Sequence, residues 1–232
     1  MQYSPSASRP LTLSASTEAQ VYALFALAMG LTLAGVFVGV EYALELLSSG
    51  MAMLFVIIEL AIIFTSRWWM EKSPLNIFLF GLFPLLSGIT ITPYILYVLL
   101  QYANGAQILI NAFAATACMG LAAAVFARTT QWNLGVMGRG LFFALLGLIA
   151  MAFLQLFVPS FRTGQMELLI SGAGVVIFAL FTAYDIQRVQ QMARNGANPF
   201  MLALSLYLDL FNLFLYVLRF MTALSGDRRR SW

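Results

Sequence analysis

Seven long apolar runs divide the chain, at about residues 21–41, 50–69, 75–100, 106–127, 140–159, 167–188 and 201–222. Each has about the 20 residues that an α-helix needs to cross the hydrocarbon core of a bilayer. They are continuous, without the short alternating segments of a transmembrane barrel, so the pattern predicts an all-α, polytopic membrane protein with seven transmembrane helices. The separators are short: "ELLSSG", "MEKSP", "QYANGAQ", "ARTTQWNLGVMGR", "SFRTGQ" and "ARNGANP". Such links make consecutive helices antiparallel neighbours. No internal repeat stands out that would argue an inverted-repeat transporter. The runs fill one domain, 21–222, between a polar, Ser-rich stretch over 1–20 that reads as a disordered tail and a short basic tail over 223–232.

The polar positions within the runs carry the functional information. Run seven contains "ALSLYLDLFNLFLYVLRF", residues 203–220, with Asp209 near its middle. A carboxylate facing lipid at that depth costs roughly 3 kcal/mol or more. Ser205, Asp209, Asn212, Tyr216 and Arg219 follow at steps of 4, 3, 4 and 3, with Tyr207 off the line. That spacing is a single helical stripe. A polar stripe inside a membrane must face protein or water, so run seven is expected to pack against other helices along its length. Interhelical hydrogen bonding alone would account for Ser205 and Asn212. It accounts poorly for an ionisable Asp209.

Run six supplies a partner. "FTAYDIQRVQ" places Asp185 near the end of that run, and the turn "NGANP" leads into run seven with Pro199 suited to a first helical turn. Asp185 and Asp209 are equidistant from Ala197 in that turn. Each is therefore about 18 Å from the hairpin tip at 1.5 Å per residue, and the two share one depth. Two carboxylates at one level in a poorly hydrated site cannot both ionise cheaply, and they are expected to share a proton. Deprotonated, they would offer oxygens to a hard cation such as calcium. The alternative is that the helices rotate apart and each aspartate pairs with a base. Run two adds a third intramembrane acid, Glu59, and Arg67 at its flank. Arg67 could snorkel to the headgroups or reach toward Asp185. Thr90, Thr92 and Pro93 in "SGITITPYI" suggest a kinked third helix beside a cavity, although a purely structural kink would look the same.

Composition narrows the chemistry. The chain is 62% hydrophobic and 9% charged, far from the roughly 25% charged residues of a soluble domain. There is no histidine, which excludes His-ligated metal sites and leaves carboxylates as the side chains able to sense pH near neutrality. Cys118 is the single cysteine, so no internal disulfide forms; its Ala-rich surroundings predict a small packing residue. The net charge of +3 reflects basic loops and implies no nucleic-acid partner. Links two, four and six carry Arg67 and Lys72, Arg128 and Arg139, and Arg188 and Arg194. By the positive-inside rule these links and the N-terminus are cytoplasmic. Seven crossings then put the tail with Arg228, Arg229 and Arg230 outside, against the rule; run seven is nonetheless long enough to span.

The segments "GLFPLLSGITITPYI", "AFAATACMGLAAAVFA", "AYDIQRV" and "ALSLYLDLFNLFLYVLRF", in this order along the chain, resemble the Bax inhibitor-1 (transmembrane Bax inhibitor motif) family from about residue 21 to 222. The resemblance implies that the last helix is central and that the other six wrap around it as two three-helix layers. It also implies a pH-sensitive calcium leak channel in the bacterial cytoplasmic membrane, with a di-aspartyl sensor that maps onto Asp185 and Asp209. A basic latch from helix two falls near Met70, between Arg67 and Lys72, which makes Arg67 the candidate. Calcium is then the transported ion, bound transiently by the aspartates. No cofactor is expected, and the partners are the bilayer, calcium and protons.

Other functions fit the same residues. A proton-coupled cation exchanger, or a structural regulator of membrane partners, would use the acids differently. An intramembrane aspartyl protease could activate water with two aspartates. Proteases of the presenilin type carry Gly-x-Gly-Asp on the second of these helices, whereas "SLYL" precedes Asp209. The expectation is a protein that is not an enzyme.

Overall fold

A computed structural model describes residues 16–226. It is built of helices α1 (Thr17–Glu41), α2 (Ala43–Ser48), α3 (Met51–Phe64), α4 (Ser66–Trp69), α5 (Leu75–Gln101), α6 (Gly105–Thr129), α7 (Gly138–Phe157), α8 (Gly164–Ala193) and α9 (Pro199–Ser225), with two short 3-10 turns. Six of these are long and apolar enough to cross a membrane, and Met51–Phe64 is a shorter apolar helix. Each of the seven predicted runs thus becomes a helix, but run two does not do so in one piece.

The break in run two has a local cause. Thr65 Oγ1 donates back to the carbonyl of Ala61 at 2.6 Å, and the carbonyl of Ile62 is taken by the indole Nε1 of the fully buried Trp69 at 2.9 Å. With that acceptor engaged, the ladder restarts at Ser66 as the single turn α4. The N-terminal boundary also differs from expectation. Residues 17–20, read as tail, are the first turn of α1. Ser16 caps it by accepting from the Ala19 N–H at 3.2 Å, and Glu18 stands in the first turn, where the helix dipole favours an acid. Residues 1–15 of the expected tail lie outside the described residues, as do the three arginines of the C-terminal tail. Helix α9 runs through Ser225, beyond the predicted end at 222.

The layers follow from which helices touch. Helix α5 packs against α1 and α3 on one side, and α8 packs against α6 and α7 on the other. Helix α9 lies between these two groups of three and touches α1, α5, α6 and α8. It is the most buried of the long helices, and none of its residues from Pro199 to Ala223 is exposed. The α1–α5 crossing is held close by glycines. A Cβ on Gly35 would sit 2.1 Å from the Leu85 carbonyl oxygen, and one on Gly88 would sit 2.1 Å from that of Thr32. Small residues at this spacing let two membrane helices meet backbone to backbone. Helix α6, by contrast, exposes much of its surface, and Cys118 with it. The expectation that Cys118 packs inside is therefore corrected. Its Ala-rich setting belongs to a peripheral helix.

Candidate functional site

The α8–α9 hairpin sets the site. Asn198 caps α9, its side chain accepting from the Phe200 N–H at 2.9 Å, and Pro199 takes the first helical position. Asn198 Nδ2 also donates to the Met70 carbonyl at 2.9 Å, which ties the hairpin tip to the end of α4. Up the hairpin, Asp185 and Asp209 meet. Asp185 is 3% exposed and Asp209 is 8% exposed, and the two carboxyl groups interact directly. Ser205, one turn below Asp209 on α9, lies against Asp185. Arg188 Nη1 approaches Asp185 Oδ1 at 3.6 Å, three residues along the same helix. The Oδ2 atom of each aspartate is buried without a hydrogen-bond partner. The helices are not rotated apart: the aspartates face each other, and Asp185 alone also has a base.

Neither aspartate lines either of two nearby cavities, but residues near each do. Toward the hairpin tip, about 200 Å³ of space is lined by Gly135, Tyr184, Gln187, Arg188, Gln191 and Met192. Toward the other end, a cavity of about 460 Å³ lies between α3, α5 and α9, with Glu59, Thr90, Tyr94, Asn212, Tyr216 and Arg219 among its walls. Its nearest stripe residue, Asn212, is three residues from Asp209, a rise of about 4.5 Å. Arg219 also borders a third cavity, of about 750 Å³, with Gln155, Arg162 and Glu167. Glu59 accepts from Thr90 Oγ1 at 2.9 Å and Ser87 Oγ at 3.3 Å, so Thr90 of the Pro93 segment does line a cavity. Asn212 Nδ2 donates to the carbonyl of Leu208 at 2.7 Å, and the Tyr216 ring stacks on Phe178 at 5.4 Å. Close contact there depends on Gly174, where a Cβ would fall 2.1 Å from the Tyr216 ring.

Other placements depart from the sequence reading. Arg67 is exposed on α4, and the base beside the aspartates is Arg188. Three further contacts were not read from the sequence. Arg219 forms a two-pronged ion pair with Glu167, Nε to Oε1 at 2.7 Å and Nη2 to Oε2 at 2.9 Å. Tyr207, off the polar stripe and fully buried, shares a 2.8 Å hydrogen bond with Thr32 of α1. Gln187 holds the α6–α7 link, accepting from the Leu134 N–H at 2.8 Å and donating to the Trp132 carbonyl at 2.9 Å. The Arg188 contact alone had a local signal, its i,i+3 position after Asp185.

Residues 15–226 match the family described as inhibitor of apoptosis-promoting Bax1. The chain belongs to this family. Among its bacterial relatives, an uncharacterized protein of Campylobacter jejuni is 30% identical over 89% of this chain and 88% of its own length. One from Borreliella burgdorferi is 35% identical over 65% of this chain and 63% of its own. A Streptococcus pyogenes relative, named as an uncharacterized membrane protein, is 29% identical over 70% of each chain. The protein is thus an integral membrane member of the Bax inhibitor-1 family, with a central last helix that carries one of two facing aspartates.

Proposed function

We propose that the protein is a passive calcium leak channel in the cytoplasmic membrane, N-terminus inside, in which Asp185 and Asp209 are at once gate and ion site. The observation that carries this reading is the pair itself. Two buried carboxyl groups face each other across the hairpin, and each keeps an oxygen without a donor. With one shared proton, the pair keeps the two helices together at this level and holds no cation. Loss of that proton leaves two carboxylates side by side, which favours separation or a cation between them. Calcium takes six to eight oxygens at about 2.3–2.6 Å. Among the described residues no cluster of three or more acidic, His or Cys side chains occurs. The ion would therefore complete its shell with water and with the hydroxyl of Ser205, and it would leave readily, as a conduit requires. Arg188 offers Asp185 an alternative counter-charge once the ion has gone.

A proton-coupled exchanger would use the same site, and the two differ in whether calcium movement requires proton counterflow. The channel reading expects calcium to run down its gradient into proteoliposomes with no proton gradient present, at a rate that changes with pH. Flux that appears only when protons move the other way would replace it with the exchanger. This family membership and site give no support to hydrolytic chemistry, and we read the protein as a non-enzyme.

A further inference from the structure

Helices α1 and α6 stand apart at the hairpin-tip side of the molecule, and the gap reaches the central helix. Two adjoining spaces fill it, of about 390 and 290 Å³, sharing Ala117 and Leu210 as walls. Along α1 they extend from Tyr22 to Val36, roughly 21 Å at 1.5 Å per residue, more than one leaflet's share of the hydrocarbon core. The walls offer nothing to water or to an ion. Thr32, Thr116 and Thr182 each donate their hydroxyl to the carbonyl four residues back, at 3.0, 2.7 and 2.8 Å. The remaining lining is aliphatic and aromatic, with Leu206 and Leu210 of α9 at its floor.

One end of the groove is polar. Tyr22 lines it there, and Arg128 Nη2 donates to the Tyr22 hydroxyl at 3.2 Å and to Glu18 Oε1 at 2.8 Å. The Arg128 side chain is 52% exposed, and both bonds use a single nitrogen, which leaves Nε and Nη1 for another acceptor. A basic group above a dry slot of leaflet depth is complementary to a phosphate carrying an acyl chain.

We propose that the groove between α1 and α6 is a phospholipid site, with one acyl chain against Leu206 and Leu210 and the phosphate on Arg128, in competition with Glu18. The chain then touches the central helix on either side of Asp209. This site stands independently of the channel reading.

The test uses the full-length protein in nanodiscs that contain a phosphatidylglycerol with a mid-chain photoreactive group, with cross-links mapped by mass spectrometry. The expected result is label on the α9 segment that holds Leu206 and Leu210. Ala117→Leu and, separately, Ala124→Leu should abolish that label while unchanged thermal melting shows that the fold is intact. Arg128→Gln should remove a preference for phosphatidylglycerol over phosphatidylcholine of about fivefold, the effect of one basic group near the headgroups. Glu18→Gln should strengthen that preference. Excess inorganic phosphate should not displace the label. Absence of α9 label, label that survives both leucine variants, displacement by phosphate, or a lipid preference unchanged in Arg128→Gln would each overturn the proposal. So would cross-links from α9 to a second copy of the chain in place of lipid.

Discussion

Helices α8 and α9 meet through charged side chains twice, and the two meetings are built in opposite ways. Toward their far ends, Glu167 and Arg219 are opposite charges in a two-pronged pair, and Gln155 adds a contact to each at 3.2 and 3.4 Å. Toward the hairpin tip, Asp185 and Asp209 are like groups, more deeply buried, and each has an oxygen with no partner. The first arrangement is satisfied and has one stable protonation state. The second is unsatisfied in any fully ionised form, because like charges at contact in a poorly hydrated site repel and desolvation penalises both. A fold that needed only to clamp two helices would use the first device at both places. The second device suits a place where a proton or a cation comes and goes.

Variants that exchange the character of the two places sharpen this contrast. The largest effect is expected at the satisfied pair. Arg219→Ala leaves Glu167 partly buried without its counter-charge, at a cost of about 2 kcal/mol for a pair that retains some solvent exposure. Thermal unfolding in detergent should show a clearly lowered midpoint, and Glu167→Gln should lower it less. A midpoint within error of wild type for Arg219→Ala would mean that the ion pair does not clamp the helices. A smaller loss, up to about 1 kcal/mol, is expected for Arg188→Gln, which removes a 3.6 Å contact made by a partly exposed side chain. Its midpoint should fall little while the pH profile of flux shifts, since Asp185 loses its base. The smallest effect on stability, of opposite sign in that the melting midpoint rises, belongs to Asp209→Asn. The amide has the shape of the carboxyl, removes the like-charge contact, and can donate to the unpartnered Asp185 oxygen, a gain of up to about 1 kcal/mol. If Asp209→Asn melts well below wild type, the aspartates are a structural pair and the contrast collapses.

Much of this was legible in the sequence, for reasons that differ from place to place. Helix existence followed from run length, because a bilayer fixes the span. The facing of Asp185 and Asp209 followed from symmetry about Ala197, because a short turn forces two helices to run side by side. Arg67 was harder. Its spacing left open whether it reaches the headgroups or the aspartates; Trp69 takes the Ile62 carbonyl, the ladder restarts, and Arg67 is exposed. The Glu167–Arg219 pair was not legible, since the register of two tilted helices far from their turn is set by packing such as Gly174 against Tyr216. The Gly35-x-x-x-Gly39 spacing was in plain view and marks the tight α1–α5 crossing; Gly39 would place a Cβ 2.4 Å from Thr92 Oγ1. Cys118 misled because alanines suit both a packed interior and a thin peripheral helix.

The central claim is that the unsatisfied aspartates, and no other group, couple pH to cation passage. Calcium flux into proteoliposomes, followed across a pH series for wild type, Asp185→Asn and Asp209→Asn, tests it most directly. The account predicts a flux that varies with pH in wild type and is flat in both variants. Retention of the wild-type profile by both variants would contradict it and move the sensor elsewhere, with Glu59 the next acid to replace.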